Sequence, residues 1–187
     1  MADSLAVNAA GDKVRTKDRG GALGHEQVML HGQLTTRIVV TPTISNGVAY
    51  TAGDAIGGII QPANVAAYAG GSALLQAITV MDKTQAQRAA IDFVLFDRTF
   101  TAAGDNNPFA PSDADMANCL GVIPVATGDY NTAWAGTPTN SIATKVLATP
   151  LPLVLLGTDL FIQAVVRGTP TYTSTTDLIL AFIFAQD

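Results

Sequence analysis

At 187 residues the chain has the length of one domain with a sizeable core. It is 48% hydrophobic but only 13% charged, with a formal net charge of −5; soluble domains usually carry about 25% charged residues. This balance excludes a whole-domain nucleic-acid binder, which needs clustered Lys and Arg. It fits a surface partly covered by other subunits, because burying a charge is costly and burying Thr or Ala is not.

The opening MADSLAV has no charged leader and no long apolar run, so it does not read as a secretory signal. The longest apolar stretches, 151–157 and 178–185, are too short for a spanning helix. A membrane β-barrel is disfavoured, and no membrane partner is expected. Residues 1–32 differ from the rest. Four of the ten basic residues, Lys13, Arg15, Lys17 and Arg19, fall in 11-GDKVRTKDRGGALG-24, where charge alternates with Gly. This stretch reads as an extended N-terminal arm ahead of a domain over 33–187.

From Gln33 onward the pattern is that of strands. The Thr- and Val-rich 34-LTTRIVVTPTI-44 suits a pleated surface, and Pro42 marks an edge or an irregular end. Asn46-Gly47 predicts a hairpin turn. In 53-GDAIGGIIQP-62, Gly57 and Gly58 predict a bulge or a close backbone approach. The segment 73–82 reads as a strand, 83–90 as a helical turn or loop, and 91-IDFVLFD-97 as a central strand. There Ile91, Phe93 and Leu95 share one face, and Val94 and Phe96 share the other. In 111-PSDADMANCLG-121 a helix of at most two turns is predicted, capped by Ser112 with Asp115 three residues on and stopped by Gly121. Strands follow at 120–126, 141–149, 160–168 and 177–186, separated by Gly- and Pro-marked turns. Short strands with almost no helix predict an all-β sandwich or barrel. The last strand is apolar on both faces: Leu178, Leu180, Phe182 and Phe184 on one, Ile179, Ala181, Ile183 and Ala185 on the other. A sandwich strand needs only one such face, so the second must meet a helix, a long loop or another subunit.

Sites for chemistry are scarce, and no enzyme activity, metal or cofactor is expected. His25 and His31 are six residues apart, a spacing that matches no standard ligand pair, and Glu26 is the one glutamate of the chain. The oxygen-rich 104-GDNNPFAPSDAD-115 admits calcium, but turn formation and capping explain its residues better. The single cysteine, Cys119, excludes an intrachain disulfide and reads as a buried, inert thiol. Tyr130 and Trp134, in 129-DYNTAWAG-136, form an aromatic patch on a predicted loop. Packing over the sandwich edge, an interface anchor and a sugar-binding face are its three readings.

Several pieces occur together and in order: Asp82-Lys83 after a strand, the DFVLFD strand Asp92–Asp97, Asn106–Asp115 before Gly121–Pro124, and the close Arg167–Leu178. In these the chain, over roughly residues 50–187, resembles head decoration, or cement, proteins of tailed bacteriophages. The resemblance implies a jelly-roll-like antiparallel β-sandwich with one short helix, assembled as a homotrimer or dimer on the exterior of a capsid. It also implies a virion structural protein made in the host cytoplasm, whose partner is the major capsid protein and whose work is to bridge coat subunits. On such an acidic protein the basic arm suits an acidic patch of the coat, making Lys13, Arg15, Lys17 and Arg19 the expected capsid contacts. The alternative is a tail, baseplate or glycan-binding structural module, resting on Tyr130 and Trp134.

Overall fold

A computed structural model describes residues 5–7, 13–16, 27–28, 34–84, 87–131 and 140–186, with side chains described from Leu34 onward. The chain divides into two units, Met1–Gln33 and Leu34–Asp187. In the first, β1 (Leu5–Val7), β2 (Lys13–Thr16) and β3 (Gln27–Val28) form an antiparallel sheet in that order. The stretch read as an arm without packed elements therefore contains a small sheet. Its strands are two to four residues long, too short to show an alternation of period two.

The second unit is a two-sheet antiparallel sandwich, as the spacing of short strands predicts. Its strands are β4 (Leu34–Val40), β5 (Ala55–Ile60), β6 (Ser72–Asp82), β7 (Ile91–Phe96), β8 (Cys119–Val125), β9 (Tyr130–Asn131), β10 (Ser141–Val154), β11 (Phe161–Val166) and β12 (Leu178–Gln186). One sheet has the order β4-β12-β6-β10-β9 and the other β5-β11-β7-β8. Without the two-residue β9, eight strands remain. In chain order the first, eighth, third and sixth make one sheet, and the second, seventh, fourth and fifth the other. This winding is a jelly roll, in which successive strands cross between sheets. Of these eight, β7 and β8 alone are both consecutive and paired, and their connection carries the helix α1 (Asp113–Met116).

The Asn46-Gly47 prediction is half right. Gly47 adopts φ 69° and its N–H donates to the Tyr172 carbonyl at 2.8 Å, but no hairpin forms. β4 ends before Pro42 and the chain crosses to the opposite sheet, so the turn serves a crossover. Gly57 meets its expectation. It has φ +67°, a Cβ there would lie 2.8 Å from Pro42 Cβ, and the β5–β11 register shifts between Ile162 and Ala164. The buried Gln163 fills the irregularity, its amide donating to the Gly57 carbonyl at 3.3 Å.

The helix begins as predicted, with the Ser112 hydroxyl accepting from Asp115 N at 3.1 Å. It is a single turn closed by Ala117, so Gly121 does not stop it; Gly121 lies inside β8 at φ +155°. Cys119 is half-buried rather than buried, opening β8 opposite Phe96. The apolar 151–154 run extends β10 beyond a register break between Val146 and Leu151.

Between the sheets lies the main core. From β7 it takes Ile91, Phe93 and Leu95, and from β12 Leu178, Leu180, Phe182 and Phe184, the faces read from period-two alternation. Phe93 meets Phe182 edge-to-face across the sandwich at 6.0 Å. Each such buried side chain contributes about 1.5–3 kcal/mol relative to exposure.

Candidate functional site

The sandwich has two outer faces, and the sequence builds them differently. On the four-stranded sheet, Val94 and Phe96 of β7 and Val165 of β11 point away from the main core into a second hydrophobic cluster. The 97–118 connection supplies the lid: Phe100, Ala102 and Phe109 pack there, with Cys119 and Phe161 beside them. Phe100 stacks on Phe96 with ring centroids 4.0 Å apart. α1 and its cap fold this connection back, and Asp105 ties it down. One Asp105 oxygen accepts from Ser45 N at 2.6 Å and from the Ser45 hydroxyl at 2.5 Å. The other accepts from the Tyr50 hydroxyl at 2.7 Å and from Gly57 N at 2.5 Å. The N–H freed at the Gly57 bulge is thus captured by the loop that covers the sheet.

The five-stranded sheet has a different outer face. Alternation from the core residues of β12 turns Ile179, Ala181, Ile183 and Ala185 outward. Register sets beside them Thr35, Arg37 and Val39 of β4 and Leu74, Ala77, Thr79 and Met81 of β6. Ile142, Thr144 and Val146 of β10 continue the face. None of these residues belongs to either hydrophobic cluster. The face is most open at its margins, where Val146 is 69% exposed and Val39 48%; the small Ala77, Ala181 and Ala185 between the larger side chains are 5%, 2% and 1% exposed. Among the described residues Arg37 is the one charged side chain in these rows.

Several carboxylates hold turns. Asp105 is described above. Asp177 accepts from Thr173 N and Ser174 N, both at 2.8 Å. Asp82 accepts from Thr84 N at 2.8 Å and Arg88 N at 2.9 Å. Asp159 accepts from Asn64 N at 2.9 Å and from the Gln61 amide at 2.8 Å; these bonds, the Asn64 N–H first, hold its pKa below the ordinary carboxylate value. The Arg98 guanidinium lowers Asp97 in the same way, and the Ala126 N–H lowers Asp129. Burial pushes the phenols of Tyr130 and Tyr172 far up, as it does that of Tyr50, where Asp105 adds to the effect. An open cleft of about 280 Å³ is lined by Gln87, Arg88, Thr127, Arg167 and Thr169 among others. Its polar groups serve the chain itself: Arg167 pairs with Asp92 at 3.3 Å, and Gln87 accepts from Thr171 N at 3.0 Å.

Of the residues singled out in the sequence, Lys13 and Arg15 fall in β2, and their side chains are outside the described set. Lys17, Arg19, His25, Glu26, His31 and Trp134 lie outside the described residues. For Tyr130 the structure agrees with packing, one of its three readings. The residue sits in β9, not a loop, is 5% exposed, and belongs to the main core, its hydroxyl donating to the Ala89 carbonyl at 3.1 Å. Asp113 and Asp115 fall in the first turn of α1. No cluster of three or more metal-ligating side chains occurs among the described residues. No described helix is long and apolar enough to cross a membrane. The outward face of β12 is legible in the sequence; its continuation across β4, β6 and β10 is not. The alternation within each strand carried that signal; the pairing that joins the rows did not show.

The chain matches no protein-family model and no curated protein. Among solved structures, a chain of infectious bursal disease virus Gx strain is similar at 12% identity and a TM-score of 0.19. The alignment covers 97% of this chain and 46% of that one, so this chain spans about half its length. A likeness that weak leaves function to the chain's own surfaces.

Proposed function

We propose that the protein is a structural component of a phage particle that decorates the capsid exterior and stabilises it by bridging coat subunits, as a homo-oligomer. The observation that carries this reading is the apolar outer face of the five-stranded sheet: a surface with one charge among its described rows is suited to permanent cover by protein. The jelly-roll frame and the resemblance in residues 50–187 support it. Bridging needs no reacting group; it sums many modest contacts that particle symmetry repeats. The basic residues Lys13, Arg15, Lys17 and Arg19 are assigned to an acidic patch on the major capsid protein, which makes attachment salt-sensitive. The alternative reading as a tail or glycan-binding module loses Tyr130 as support, because that ring is spent inside the core.

The test is to mix the purified protein with undecorated heads and count bound copies by quantitative mass spectrometry, alongside mature particles. Many copies on both support decoration. Absence from mature particles, or presence only at the tail tip, contradicts it.

A further inference from the structure

We infer that the outer face of the five-stranded sheet is the contact between two copies of this chain, which pair face to face. This rests on the assembly part of the reading above and is independent of any capsid.

Three observations carry it. The first is size. Four strands about 4.8 Å apart, with β12 nine residues long at about 3.4 Å each, project a patch of about 600 Å² before side-chain relief is added. A stable interface takes about 800 Å² of accessible surface per partner, which the relief and the exposed rim residue Val154 bring within reach. The second is charge. A partner recognised by complementary charge needs charges here to read, and the rows offer only Arg37 among the described residues. A second copy makes no such demand. The third is where that Arg sits. Arg37 lies on β4, at the sheet's margin. A two-fold axis lying in the interface, along the boundary between β12 and β6, places β4 of one copy over β10 of the other. The two Arg37 rows are then about 14 Å or more apart, beyond a Debye length of about 8 Å, and the apolar rows of Ile179, Ile183, Ala77 and Met81 meet at the centre. A sheet face packed on its own copy about a two-fold axis closes as a pair, which selects the dimer over the trimer.

The experiment is sedimentation equilibrium of the full chain across concentration, with Val146→Lys and Val39→Lys compared with Val122→Lys. All three positions are at least 48% exposed in the single chain (69%, 48% and 50%), so each tolerates Lys in the fold; circular dichroism checks this. Val122 lies on β8 of the other sheet. The expected result is a dimer whose dissociation constant rises about 100-fold or more with Val146→Lys and with Val39→Lys, and is unchanged with Val122→Lys. A monomer at all concentrations overturns the inference, whether the chain's own residues 1–33 or a coat subunit covers the face. So does a trimer, or a dimer that resists Val146→Lys, the outcome expected if copies join along the β4 edge. Failure of head binding with an intact, Val146-dependent dimer would instead overturn decoration and leave the pairing standing.

Discussion

The two outer faces of the sandwich solve one problem in two ways. Both sheets turn apolar side chains away from the main core. The four-stranded sheet spends part of its own chain to cover them: the 97–118 connection lays Phe100 and Phe109 over Phe96 and Val165. The five-stranded sheet has an equally apolar strand in β12, yet its outward residues join no cluster of the chain's described side chains. The first face behaves as a second core and is a matter of stability. The second is the face we propose for association. Low charge in a sequence therefore has two physical meanings, and connection length distinguishes them: β7 and β8 are joined by 22 residues, 97–118, enough to form a lid.

If the covered face is a true core, Phe96→Ala removes the ring on which Phe100 stacks and costs about 3–5 kcal/mol, measured by denaturant unfolding. A loss below 1 kcal/mol would mean that the 97–118 lid is not packed. Asp105→Ala leaves donors of Ser45, Tyr50 and Gly57 without their acceptor and loosens the lid from the bulge; the expected loss is about 2–3 kcal/mol. Gly57→Ala meets Pro42 and a left-handed backbone, costing about 1–3 kcal/mol, and proteolysis within 97–118 should accelerate in both variants.

The pH dependence is smaller. Asp97, Asp129 and Asp159 have folded pKa values below their unfolded ones. Their contribution is present above the unfolded value of about 3.9 and is lost as pH falls through the folded one. All three are half-buried and keep contact with solvent, so the acid loss is modest, and Asp159→Asn should flatten part of it in an unfolding series below pH 4. The smallest effect is predicted on the open face. At dilutions where single chains dominate, Val146→Ala changes stability by no more than about 0.5 kcal/mol. A large loss there would mean that the chain covers this face itself.

Most of the sandwich was legible in the sequence because strand alternation is local. The opposite faces of Ile91–Leu95 and Val94–Phe96, and the core face of β12, follow from period two. The Ser112 cap follows from a short-range hydrogen bond. What was not legible depended on distant partners. Asn46-Gly47 looks like a hairpin until β4 and β5 are seen in different sheets. Tyr130 looks like a surface aromatic until the Ala89 carbonyl receives its hydroxyl. Asp105 looks like a turn residue or a calcium ligand until Ser45, Tyr50 and Gly57 converge on it. Likewise the apolar outer face of the five-stranded sheet is a property of rows from four strands, visible only once their register is known.

The most direct measurement is the reactivity of a thiol placed on the open face. In a Cys119→Ser background, Val146→Cys is labelled by a maleimide across a dilution series, with Val122→Cys as the reference. If copies bury the face, the thiol at 146 is labelled slowly in concentrated protein and approaches the reference rate on dilution. Equal, concentration-independent rates at both positions would contradict it.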